Sequence, residues 1–145
     1  MIRIGVIGYG YWGPNLVRNF ADARDTRLAA VSDLSEERLA LIQRRHPGVE
    51  TTTDVQAVLN SPNIDAVAIA TPVSTHFPLA MEALKAGKHV LIEKPMTTSS
   101  EDALRLIEEA DRRQLVLMVD HTFVYTGAVR KIRELIERGS LGEIY

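Results

Sequence analysis

Apolar residues along the chain fall into six short runs, separated by longer stretches in which they recur every three or four positions. Ile2, Ile4, Val6 and Ile7 form a β-branched run ended by glycines, the pattern of a strand covered on both faces. Leu28 to Val31 predicts a second strand, stopping at Ser32-Asp33, and Val49 to Thr53 a short third. A fourth runs from Ala66 to Ala70 into Thr71-Pro72, a fifth from His89 to Ile92 into Glu93-Lys94-Pro95, and a sixth from Leu115 to Val119. Between them the spacing predicts helices. One spans Pro14 to Ala23, with Leu16, Val17 and Phe20 as its apolar stripe and proline suited to the first turn. Ser35 caps a second, with Glu36 and Glu37 favoured by the helix dipole, and His46-Pro47-Gly48 closes it. Asp54 to Leu59 is a short helix, and Ser74 or Thr75 caps the next, which Gly87 terminates. Ser99 opens another, with Leu104, Ile107 and Ala110 at its apolar positions. Val129, Ile132, Leu135 and Ile136 mark a last helix that ends at Gly139.

Strands alternating with helices predict an α/β fold: a doubly wound parallel sheet of the Rossmann type, in which crossover helices cover both faces. The expected strand order is 3-2-1-4-5-6, and ligands in such a sheet sit beyond the carboxyl ends of the strands, where the order reverses. That rule directs attention to the segments after Ile7, Val31, Ala70, Ile92 and Val119. A chain of 145 residues, 46% hydrophobic, can bury one sizeable core but not two ordinary ones.

Charge narrows the partners. The formal net charge is -2 with both signs interspersed, which argues against nucleic acid or an anionic membrane surface as partner. Even the most cationic stretch, Arg130-Lys131-Ile132-Arg133, lies beside Glu134 and Glu137 and reads as a solvated helix face. Without cysteine there are no disulfides, no thiolate nucleophile and no sulfur-bound zinc, and no metal site is expected. A reducing cytoplasm fits that composition. The amino-terminal apolar run is too short for a signal peptide or a membrane span.

Candidate chemistry lies at the strand ends. Gly8-Tyr9-Gly10-Tyr11-Trp12-Gly13 follows a predicted strand and opens a predicted helix, the context that turns a GxGxxG spacing into a dinucleotide loop. Gly8 permits the tight turn, Gly10 admits a pyrophosphate close to the backbone, and Gly13 lets the helix pack on the sheet. Pro14 has no N–H, so the anion donors must come from residues around Tyr11 and Trp12. Asp33, twenty positions after Gly13, can accept hydrogen bonds from both adenosine ribose hydroxyls and would repel a 2'-phosphate, favouring NAD over NADP. A plain glycine turn and a helix-capping aspartate are the competing readings. Arg38 either meets a 2'-phosphate or is a helix-surface arginine. Thr71 and Pro72 can line the nicotinamide end of the cofactor, whereas His76, in a helix first turn, is either structural or a ligand contact. Glu93-Lys94-Pro95 places a lysine at the cleft edge, where it can orient a substrate hydroxyl or stabilise an alkoxide as hydride leaves; a surface lysine is the alternative.

Taken in order, GYGYWG, VSD, ATPVSTH and IEKP resemble the amino-terminal domain of the Gfo/Idh/MocA family, named for glucose-fructose oxidoreductase, inositol dehydrogenase and rhizopine catabolism. The resemblance implies a nicotinamide-dependent oxidoreductase that moves hydride between NAD and a sugar, cyclitol or nucleotide-sugar hydroxyl. It implies that Gly8, Gly10 and Gly13 form the dinucleotide loop, Asp33 the ribose-binding acid, Thr71 and Pro72 the loop near the nicotinamide and Lys94 the catalytic lysine in the cleft; Tyr11, Trp12, His76, Glu93 and Thr122 complete the expected cofactor-binding set. Asp120-His121-Thr122-Phe123 matches the segment that in the family reaches cofactor and substrate, with Thr122 where asparagine is common. VDHTFVYTGAVRKI is similar to relatives that oxidise nucleotide-linked amino sugars at the 3-position. On this basis residues 1–138 are expected to form the dinucleotide-binding domain and residues 139–145 the start of a truncated substrate and oligomerisation domain. The fragment would then hold NAD without turning over substrate, and homo-oligomers would need the missing domain. A free-standing NAD-binding module acting through a partner is the alternative. A methyltransferase using S-adenosylmethionine shares glycine-rich first loops, but EKP at the fifth strand speaks against it.

Overall fold

In the computed structural model, which describes all residues from Met1 to Tyr145, the apolar runs become six parallel strands in the order 3-2-1-4-5-6. They are β1 (Ile2–Ile7), β2 (Thr26–Ser32), β3 (Glu50–Thr52), β4 (Ala66–Ile69), β5 (His89–Ile92) and β6 (Leu117–Val119). The helices are α1 (Gly13–Asp22), α2 (Glu36–Arg45), α3 (Val55–Leu59), α4 (His76–Lys85), α5 (Ser100–Arg113) and α6 (Gly127–Glu137). β2 starts two residues earlier than its apolar run, because Thr26 pairs with Ile2 and Arg27 with Arg3 at the foot of the sheet.

Side chains from alternate positions fill a core on each face. Ile4 and Val6 of β1 pack with Leu16 and Val17 of α1 and with Leu39 and Ile42 of α2. Ile7 turns to the other face, among Val58, Val67, Ile69, Leu84, Ile92 and Leu106. Gly5 points the same way as Ile7, and a Cβ there would meet Val58 Cγ1 at 2.6 Å, so the absent side chain lets α3 approach the sheet.

Ser35, Asp54 and Ser99 each accept a backbone N–H of their own helix's first turn, as does Thr126 for α6. α4 departs from expectation. Ser74 and Thr75 lie in a 3-10 turn, Val73–Thr75, and neither caps α4 with its side chain; the Thr75 hydroxyl bonds the Pro72 carbonyl and the Thr71 hydroxyl, each at 2.7 Å. The face of α5 also differs. Leu106 and Ala110 are its buried residues, while Leu104 and Ile107 are exposed, because α4 lies against a face rotated from the one the spacing predicted. α6 buries none of its residues.

At the amino ends of the strands, opposite the ligand side, Arg3 grips Asp65 with Nη2 at 2.6 Å and Nε at 2.9 Å. Beside them the buried Lys88 ammonium donates to the carbonyls of Ser61 and Ile64, at 2.6 and 2.7 Å. Burial lowers the Lys88 pKa, partly offset by the Asp65 charge. This cluster ties together the amino ends of β1, β4 and β5 and leaves the carboxyl ends free for a site.

Candidate active site

A cleft of about 860 Å³ opens at the carboxyl ends of the strands, where the sheet order reverses between β1 and β4. Its floor and walls come from the loops after β1, β2, β3, β4 and β5.

The loop after β1 is shaped by two glycines at which any side chain would clash with backbone. Gly8 has φ +96°, and a Cβ there would lie 2.7 Å from the Ala70 carbonyl oxygen. A Cβ on Gly13 would collide with the Gly8 carbonyl oxygen, so the start of α1 closes directly onto the turn. Gly10 is different. It lines the cleft, and a Cβ on it would meet nothing nearer than Arg38 Nη1 at 4.0 Å. Its bareness keeps space open to a ligand rather than to the protein. The N–H groups of Gly10, Tyr11, Trp12 and Gly13 have no acceptor in the protein, and no side chain caps α1. Consecutive free donors at a helix start, beside a bare glycine, form a cradle for an anion such as a diphosphate.

Asp33 lies at the end of β2, only 8% exposed. Its Oδ2 accepts the Tyr9 N–H at 2.7 Å and its Oδ1 the Ser35 N–H at 2.8 Å, so the carboxylate braces the glycine loop while facing the cleft. Ser35, not Asp33, caps α2. Arg38 Nη1 stands 3.5 Å from Asp33 Oδ2, which makes Arg38 a cleft residue rather than a bystander on the helix surface. Two acceptor oxygens with lone pairs to spare, beside the anion cradle, suit a ribose diol.

Across the reversal point, Thr71, Pro72 and His76 line the cleft. His76 is 1% exposed, its Nε2 2.8 Å from the Thr71 carbonyl and its Nδ1 2.9 Å from the Pro95 carbonyl. Neither ring nitrogen is left for a ligand, so His76 acts by joining the loop after β4 to the turn after β5, across the cis Lys94-Pro95 peptide bond. Lys94 lies exposed on the cleft wall, its ammonium free of any ion pair.

Glu93 is the most perturbed acid of the site. Its carboxyl is pushed up to about 7, first by burial and then by the Asp120 carboxyl facing it from the end of β6; the Lys94 backbone N–H and charge oppose the rise. Glu93 Oε1 is buried without a partner, while Oε2 accepts the Lys94 N–H at 3.3 Å. Trp12 reaches toward the same place, its Nε1 donating to Asp120 Oδ2 at 3.4 Å. Tyr11, by contrast, projects into solvent at 96% exposure. Thr122 lies in a 3-10 turn, Thr122–Tyr125, exposed and outside the cleft lining. The acid pair and the Trp12–Asp120 bond escaped the sequence reading. Only the adjacency of β5 and β6 could have signalled them, since both acids directly follow those strands.

The oxidoreductase family model with the NAD-binding Rossmann fold, Gfo/Idh/MocA, matches residues 2–121. Myo-inositol 2-dehydrogenase of Thermotoga maritima is 32% identical over 98% of this chain, and the chain spans 42% of that relative's length. UDP-N-acetylglucosamine 3-dehydrogenase of Acidithiobacillus ferrooxidans is 38% identical over 92% of this chain and 41% of its own. A solved point variant of a 3-ketoreductase from Actinomadura kijaniata, in complex with TDP-benzene and NADP, superposes with a TM-score of 0.89 at 32% identity, over 99% of this chain and 44% of that one. The chain therefore spans under half the length of these relatives, and with its glycine loop, Rossmann strand order and matched residues it belongs to the Gfo/Idh/MocA oxidoreductase family.

Proposed function

We propose that this chain is the cofactor-holding part of an NAD-dependent dehydrogenase acting on a hydroxyl of a sugar, cyclitol or nucleotide sugar. What carries the reading is the run of unpaired N–H groups from Gly10 to Gly13 beside the buried Asp33 carboxylate, a diphosphate cradle next to a diol acceptor. Bound there, the dinucleotide would supply the hydride acceptor. The chain's own residues orient it: the free amides hold the diphosphate, Asp33 the adenosine ribose, and Thr71 and Pro72 the nicotinamide end, with Gly8 and Gly13 keeping the loop closed. Lys94, with its ammonium unpaired at the cleft wall, positions the substrate hydroxyl and stabilises the alkoxide as hydride departs.

Residues 1–138 serve in this reading as the cofactor unit, and residues 139–145 lead toward a part that binds substrate and forms oligomers. Inositol and UDP-N-acetylglucosamine dehydrogenases among the relatives support the substrate class, and a cytoplasmic setting suits a pool of soluble dinucleotide. Preference for NAD rests on Asp33: a 2'-phosphate would approach a carboxylate already committed to the loop, and Arg38 is already paired to it. Calorimetric titration tests this. NAD is expected to bind at least about tenfold more tightly than NADP, and Asp33→Ala to weaken NAD by about tenfold or more, from the loss of hydrogen bonds to a charged acceptor. Equal or tighter binding of NADP would refute the NAD preference, and a folded sample that takes up neither dinucleotide would refute the reading as a whole.

A further inference from the structure

Two acids meet where the sheet offers no ion pair to separate them. Glu93 follows β5 and Asp120 follows β6, so the parallel register sets the two acids side by side, Glu93 on the cleft lining and Asp120 next to it. Two carboxylates facing each other in a partly buried place repel when both are charged, which favours one of them keeping a proton. Glu93 Oε1 is buried with no donor aimed at it, while Asp120 has the Trp12 indole N–H on Oδ2 at 3.4 Å. Burial of Glu93 and the facing Asp120 carboxyl both favour the protonated form of Glu93. Other charged and titratable groups near Glu93 are few: Lys94 on its own turn, and His76 of α4, whose Nδ1 is held by the Pro95 carbonyl.

Building on the cofactor reading above, we propose that Glu93 and Asp120 form a one-proton acid pair beside the nicotinamide end of the cleft, and that this pair discriminates oxidised from reduced dinucleotide. The oxidised ring carries a formal positive charge, and the reduced ring does not. With Asp33 anchoring the adenosine end beside β2, the dinucleotide must run across the reversal point toward the loops after β4 and β5, where Glu93 lines the cleft. While the pair keeps its proton it presents one negative charge. When that proton leaves for solvent, the pair presents two, which favours the cationic ring and leaves the neutral ring nearly unaffected.

The sign follows from the facing acids. The Glu93 carboxyl, pushed up to about 7, loses its proton near neutrality rather than in the ordinary carboxylate range. The ratio of NAD+ to NADH affinity should therefore climb as pH rises through neutrality. Titrating the protein with each dinucleotide by calorimetry from about pH 5.5 to about pH 8.5, the ratio is expected to rise by about fivefold, the effect of one extra unit charge across a partly hydrated gap. Glu93→Gln should flatten the profile with both forms still binding. Asp120→Asn should move its midpoint to lower pH, since Glu93 would then ionise without a facing acid, a shift that a merely structural Asp120 would not produce. A flat ratio in the parent protein with both dinucleotides bound overturns the acid pair while leaving the cofactor site intact, and an unmoved midpoint in Asp120→Asn overturns the pairing with Asp120. If neither dinucleotide binds, the cofactor reading falls and this inference falls with it.

Discussion

Alanine at Gly10 and at Gly13 should give opposite outcomes, because one glycine faces the cleft and the other faces the protein. A Cβ on Gly13 collides with the Gly8 carbonyl oxygen, and the contact is backbone against backbone, so no side chain can swing aside to relieve it. Overpacking of that kind costs about 1–3 kcal/mol, a large part of the roughly 5–15 kcal/mol that holds a domain of this size folded. The melting temperature should fall by about 5–12 °C. Gly10 lies outside the positive-φ glycines and has only Arg38 Nη1, at 4.0 Å, near its would-be Cβ. Gly10→Ala should therefore leave stability unchanged or raise it by about 0.4–1 kcal/mol through the unfolded chain. Its methyl group would, however, stand in the diphosphate cradle and weaken NAD by about tenfold or more. Thermal melts followed by circular dichroism, paired with calorimetric titration of NAD, separate the two effects. Refutation would come from a Gly13→Ala protein that melts with the parent, or from Gly10→Ala binding NAD as the parent does.

Three further outcomes follow from the same geometry. His76→Phe should destabilise the protein by about 1–3 kcal/mol, because the imidazole N–H that reaches the Thr71 or Pro95 carbonyl is lost and the two loops lose their shared buried contact; urea unfolding measures this, and NAD should weaken too as the two loops part. Lys88→Met should cost about 2–3 kcal/mol by stranding the Ser61 and Ile64 carbonyls, yet leave NAD affinity untouched, since this cluster sits at the opposite end of the sheet. Stability should also fall as pH rises from about 4.5 to about 7, because the Glu93 carboxyl is raised in the folded state, so the advantage present below its ordinary value is lost on ionisation. Partial solvent exposure reduces that loss to about 1 kcal/mol, and urea titrations of Glu93→Gln should lack it.

Much of this architecture was legible in the sequence because the strands are short, β-branched and bounded by turn residues. Ile4, Val6 and Ile7 read as a two-faced strand and pack as one, and Asp33 stood out by its spacing from the glycines. Helix faces were less legible. The apolar positions of α5 offered two overlapping stripes, and packing against α4 selected Leu106 over Leu104 and Ile107. Periodicity carries no information about such a choice, since it depends on where the neighbouring helix lies. His76 hid its role for a similar reason: its partners are backbone carbonyls five and nineteen residues away, which no motif of side chains records. The Glu93–Asp120 pair needed the β5–β6 register before it could be seen at all.

Crystals of the protein grown with NAD test the central claim most directly. The diphosphate is expected against the amides of Gly10 to Gly13, the adenosine ribose hydroxyls on Asp33, and the nicotinamide toward Thr71, Pro72 and Glu93. Dinucleotide bound elsewhere, or a cleft that stays empty of it at saturating concentration, would contradict the account.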